Sequence, residues 1–123
     1  MVLDRLDPAT VAEIRFSIRQ LVEGAGARGI APSAALLTTE LVAGAFERGA
    51  RSLIVYAECD RRHVRVEVGD SFRSTGAYVP ARHGDATGLR RRLLDELTDG
   101  WGSISTGDGD LVWFDVGIRS PAR

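Results

Sequence analysis

The stretch from Pro32 to Arg48 predicts a helix that is apolar on nearly every side. Leu36, Leu37, Leu41, Val42, Ala45 and Phe46 go almost all the way round its cylinder, and such a helix has to be covered on more than one side. Pro32 and Ser33 open it and Gly49 closes it. One carboxylate, Glu40, sits in this setting, with Leu36, Leu37, Leu41 and Gly44 one, three or four positions away. A carboxylate among apolar neighbours needs a reason. It is either a salt bridge or cap at the edge of the stripe, or a general base.

The rest of the chain supplies the cover. Asp7 and Pro8 form a helix entry. Val11, Ile14, Ile18, Leu21 and Val22 then follow helical spacing to about Glu23, before Gly24, Gly26 and Gly29. Phe16 falls on the polar side of this helix, and cover by the N-terminal segment is preferred there to a partner contact. Residues 52 to 58 and 63 to 69 read as a hairpin across Asp60, Arg61 and Arg62. In its second strand Val64, Val66 and Val68 alternate with Arg65 and Glu67, so one face is covered.

Residues 71 to 85 have no periodicity and read as a long loop. A third helix is expected from about Thr87 to Leu97 with Leu89, Leu93 and Leu97 inward. Its Arg90-Arg91-Arg92 run reads as a solvated face, with Asp95 and Glu96 four residues beyond Arg91 and Arg92. A second hairpin joins Trp101–Thr106 to Leu111–Ile118 across residues 107 to 110. Val112, Phe114, Val116 and Ile118 should face the helices, and Trp113 should face away. Helices segregated from antiparallel strands give an α+β fold, a two-layer sandwich with a mixed, mostly antiparallel sheet and three helices on one face. The opposite sheet face has no helix left to cover it, which suits a dimer or a partner.

Bulk properties bound the function. At 123 residues, 44% hydrophobic and 27% charged, residues 1–123 make one domain. A net charge of −1 offers no footprint for nucleic acid. All 16 basic residues are arginine, which excludes a mechanism built on a catalytic lysine. Cys59 is the single cysteine, so no intramolecular disulfide forms, and its place beside a turn makes it ordinary. His63 and His83 are isolated, lack metal-ligand spacing and should face solvent. With no signal pattern and no run of about 18 apolar residues, the expectation is a cytoplasmic protein without a membrane span.

Three ordered motifs resemble the histidine-kinase-like ATPases (the gyrase, Hsp90, kinase and MutL superfamily), in particular the bacterial anti-sigma factor and serine kinase branch. That family's Glu-Leu-Val-x-Asn-Ala box appears as Glu40-Leu41-Val42-Ala43-Gly44-Ala45. Its strand ending in an aspartate appears as Val64-Arg65-Val66-Glu67-Val68-Gly69-Asp70. Its closing segment appears as Gly88-Leu89, Trp101-Gly102 and Val112-Trp113-Phe114. The resemblance spans residues 8 to 118. It implies ATP as ligand, Glu40 as the base that activates the attacking hydroxyl or water, and Asp70 as acceptor for the adenine amino group. It further implies residues 71 to 85 as a lid, and Gly88 and Leu89 at the phosphates.

The departures bear on activity. Gly44 stands where the family has its magnesium-holding asparagine, so no metal ligand is assigned here, and magnesium requires a nearly complete octahedron of oxygens. Ala86-Thr87-Gly88-Leu89 keeps one glycine of the family's Gly-x-Gly-Leu. Asp70 is followed by Ser71-Phe72-Arg73 rather than a glycine-rich turn, and Gly109-Asp110 replaces a Gly-Thr. Phosphoryl transfer rests on positioning and metal electrostatics. The expectation is therefore a regulatory protein that binds a protein partner, a sigma factor or its antagonist, with kinase activity weakened or lost. The alternatives are a working anti-sigma-type serine kinase, and a dimerising binding module with a vestigial pocket.

Overall fold

In the computed structural model, residues 1–69, 88–106 and 109–118 are described. Strand β1 (Val2–Leu3) precedes helices α1 (Pro8–Gly24) and α2 (Ala31–Glu47). Strands β2 (Leu53–Cys59) and β3 (His63–Gly69), helix α3 (Gly88–Leu97) and strands β4 (Gly100–Thr106) and β5 (Gly109–Gly117) follow. The architecture is α+β, an open five-stranded sheet in the order β1-β2-β3-β5-β4 packed against the helices. Every pairing between these strands is antiparallel, so the sheet carries none of the mixed pairing the sequence allowed.

Capping and turn chemistry fix the helix ends. The Asp7 carboxylate accepts from the Thr10 backbone N–H at 2.8 Å, and those hydrogen bonds hold its carboxyl below the usual aspartate value. Helices α1 and α2 end alike. Gly26 (φ +86) and Gly49 (φ +99) take the left-handed position, and the next residue's N–H reaches back five residues, Ala27 to Val22 and Ala50 to Ala45. A 3₁₀ turn, Arg28–Ile30, joins the two helices.

The core lies between the helices and one face of the sheet. Ile14, Ile18 and Val22 of α1 meet Leu37, Leu41 and Val42 of α2, above Val64, Val66, Val68 and Phe114. As expected from its all-round apolarity, α2 is buried on several sides, and its buried Thr38 and Thr39 turn their hydroxyls to the helix's own carbonyls at 2.7 and 2.9 Å. By length and hydropathy the segment Arg28–Glu47 could cross a membrane, but 56% of its most apolar 18-residue stretch is buried inside this domain, as in the core helix of a globular fold.

Several expectations need correction. Leu89 points outward at 71% exposure, and the inward stripe of α3 is Leu93, Leu94 and Leu97. Phe16 is exposed rather than covered by the N-terminal segment. Strand β2 starts and ends one residue later than read, and Gly109 and Asp110 belong to β5 rather than to the turn. Strand β1 went unread because two residues carry no periodicity. Leu21, read on the apolar stripe of α1, is exposed as well, whereas the last strand's assignments hold: Phe114 and Val116 are buried with the helices, Val112 and Ile118 pack against that core, and Trp113 lies on the opposite face.

Candidate functional site

Glu40, Gly44, Glu47 and Arg48 follow one another down one side of α2, spaced four, three and one residues apart. Helix α3 packs against α2 and β4, with Leu94 fully buried and the Trp101 indole N–H donating to Asp95 at 2.8 Å. That docking decides where Arg90 goes. It lies one turn before Leu94 on the same side of α3, so its guanidinium is carried across α2 instead of into solvent.

Arg90 bridges two carboxylates. Its Nε and Nη2 donate to Glu40 Oε2 at 3.4 and 3.3 Å, and its Nη1 and Nη2 to Glu47 at 3.4 and 3.5 Å. The space for this bridge is the side chain that Gly44 lacks. A Cβ on Gly44 would stand 3.0 Å from Arg90 Nη1 and 3.2 Å from Arg48 Nη1. The salt-bridge reading of Glu40 is thus realised: the carboxylate sits half-buried at the edge of the apolar stripe with a cation upon it.

The donor set around Gly44 does not fit magnesium. The ion takes about six oxygen ligands at roughly 2.0–2.1 Å. Gly44 offers no side-chain oxygen, Glu40 is engaged by Arg90, and two cationic nitrogens border the position. Among the described residues no group of three or more His, Cys, Asp or Glu is placed to hold a metal ion.

Of the other residues singled out, Gly88 opens α3 with φ +61, a conformation that favours glycine. Leu89 beside it is exposed. Asp70, residues 71 to 85 that the resemblance reads as a lid, His83 among them, and Ala86 lie outside the described residues. Gly69, which precedes Asp70, ends β3, where a Cβ would come within 2.8 Å of the Asp110 carbonyl oxygen. Next to it is a cavity of about 100 Å³, walled by Ala45, Arg48 and Gly49 of the α2 end and by Val68, Gly69 and Asp110 of the sheet. Arg90 is the site residue that the sequence reading missed, because it was grouped with its exposed neighbours Arg91 and Arg92. Cys59 has its thiol pushed up by burial and the Asp60 charge, which makes it a poor nucleophile. His63 is exposed beside Asp60.

The face of the sheet opposite the described helices carries a charged cover. Cross-strand register places Trp113 between Glu67 and Gly102, and Arg65 opposite Asp115. The Arg65 guanidinium lies 4.6 Å from the centre of the Trp113 ring and donates to Glu67 at 2.9 Å and Asp115 at 3.1 Å. Trp113 is buried, at 1% exposure, on the face expected to be open.

Comparison with family models, with curated proteins and with solved structures finds no match to this chain.

Proposed function

We propose that this chain is a regulatory protein on a histidine-kinase-like ATPase scaffold, acting by binding a protein partner, with phosphoryl transfer weakened or lost. The observation that carries this reading is the Arg90 guanidinium, seated where Gly44 leaves room and engaging Glu40. A general base has to present its carboxylate to the proton it removes. Here the nearest cation to Glu40 is a side chain of the protein itself. Catalysis of phosphoryl transfer depends on a positioned metal, and the groups around Gly44 are unsuited to one.

The proposal includes ATP as a ligand retained without catalytic magnesium, a cytoplasmic setting, and a sigma factor or its antagonist as partner, with a homodimer compatible with it. The motif order from residues 8 to 118 supports the scaffold, and the α+β two-layer architecture agrees with it. The test is phosphate transfer from labelled ATP, with magnesium, to the partner co-purified from the native cell. The expected result is a complex that persists without transfer, in the wild type and in Glu40→Ala alike. Transfer that requires magnesium and disappears in Glu40→Ala would sink the proposal in favour of a working kinase.

A further inference from the structure

We infer that the outer edge of β4 seats a second copy of this chain, the two copies pairing antiparallel, edge to edge, about a two-fold axis. An edge strand bares a row of backbone donors and acceptors, and monomeric proteins blunt such edges with charge, proline, a bulge or a very short strand. The two edges of this sheet differ in that respect. On one side the edge strand is β1, two residues long and followed at once by Asp4 and Arg5. The stretch of β2 that β1 leaves uncovered runs through Glu58 into Asp60, Arg61 and Arg62. On the other side β4 reads Gly-Trp-Gly-Ser-Ile-Ser-Thr, without charge or proline, in unbroken register with β5 from Gly100 to Thr106. Among the described residues no strand pairs with its outer side.

Register decides which backbone groups stand on that side. Ile118 N–H donates to the Arg62 carbonyl at 2.7 Å, so in β5 the even-numbered residues bond towards β3 and the odd-numbered ones towards β4. Gly100, Gly102, Ile104 and Thr106 therefore turn their N–H and C=O to β5, and Ser103 and Ser105 turn theirs outward. With Ser103 of one copy opposite Ser105 of the other, each such pair exchanges its N–H···O=C bonds, and the two-fold repeats the pair. That register sets Ile104 against Ile104 of the other copy, on the sheet face it shares with Leu111 and Trp113. Apolar side chains directly opposite one another stabilise a ladder.

The surroundings favour a like chain as the occupant. Strand β4 brings no charge that would repel itself, and α3 beside it brings both signs. Asp95 is held over β4 by the Trp101 indole at 2.8 Å, and Arg91 lies 3.8 Å from Asp95. A two-fold perpendicular to the sheet lays the two α3 helices side by side and antiparallel, so this mixed row meets its own reverse. Each copy uses up its β4 edge in the pairing, which closes the assembly at a dimer. The dimer is compatible with the proposed function yet rests on none of its premises, neither the scaffold nor ATP.

Sedimentation equilibrium of the full chain over a concentration series, without nucleotide, tests the pairing. A reversible monomer–dimer equilibrium is expected. Ser103→Pro removes an outward N–H that makes no hydrogen bond among the described residues, and proline is tolerated at such an edge. It should raise the dimer dissociation constant about tenfold or more, with the melting temperature at high dilution near that of the wild type. Ile104→Lys sets like charges opposite each other on the axis and should weaken the dimer similarly. In a Cys59→Ser background, Ile104→Cys should link the copies through a disulfide when oxidised glutathione is added. A wild type that stays monomeric, which leaves the edge to a foreign strand or to none, would overturn the inference. So would association that continues past the dimer, a dimer that survives either substitution in a folded chain, or a dimer without the Ile104→Cys link.

Discussion

Two arginines in this chain each bridge a pair of carboxylates, and they do so very differently. Arg65, on the sheet face opposite the described helices, reaches Glu67 and Asp115 at 2.9 and 3.1 Å, with partners 14% and 22% exposed. Arg90, between α2 and α3, reaches Glu40 and Glu47 at 3.3 and 3.4 Å, with partners 36% and 66% exposed. The cause lies in what sets each geometry. Strand register puts Asp115 directly across from Arg65 and Glu67 two residues along the same face, so backbone pairing aligns all three before any side chain moves. Arg90 depends on the far end of one flexible side chain spanning two helices. The first arrangement is structural, and the second is open to exchange with solvent.

The largest expected effect comes from removing what Arg65 covers. Trp113→Ala takes away a ring packed between Arg65 and Gly102, and should cost about 3–5 kcal/mol in urea denaturation followed by circular dichroism. A cost below about 1 kcal/mol would mean that the ring adds little to stability, and the contrast would lose one of its sides.

Next in size are the two arginines themselves. Arg65→Ala leaves Glu67 and Asp115 mostly buried without that cation, and should destabilise by about 2–3 kcal/mol with weak dependence on salt. Arg90→Ala should cost below about 1 kcal/mol, since its contacts are long, Glu47 is largely solvated and Glu40 is only half-buried. Raising the salt concentration should shrink that smaller loss further. Equal losses for the two variants would remove the distinction between a structural bridge and an exchangeable one.

Much of the fold was legible because its signals are periodic. The alternation of Val64, Val66 and Val68 with Arg65 and Glu67 fixed both the strand and its covered face, and the all-round apolarity of α2 fixed its central position. Trp113 was correctly turned away from the helices, yet its burial was not legible. Two of its neighbours, Arg65 and Gly102, come from different strands and meet it only through register. The candidate site was half legible. Glu40 and Gly44 stood out within one helix, whereas Arg90 enters from 50 residues away. Taking Leu89 rather than Leu94 as part of the α3 stripe turned its expected inner face by about 50° and left Arg90 grouped with its solvent-facing neighbours. Reading positions 90, 94 and 97 as one face would have found it.

The smallest expected effect, and the sharpest form of the comparison, uses two glycines. Gly102 and Gly44 each leave room for a neighbour at 3.0 Å from where a Cβ would sit. Over Gly102 the neighbours are Cζ2 and Nε1 of the Trp113 ring, a rigid plane that is itself buried, so Gly102→Ala forces the ring or the strands apart and should cost about 1–3 kcal/mol. Over Gly44 they are the tips of Arg90 and Arg48, which can swing aside, and alanine is worth about 0.5–1 kcal/mol more than glycine inside a helix. Gly44→Ala should therefore leave the melting temperature unchanged or raise it slightly. A loss at Gly44 as large as that at Gly102 would mean that the two guanidinia are held as firmly as the tryptophan ring, and the α2–α3 bridge would then be a structural fixture like its counterpart on the sheet.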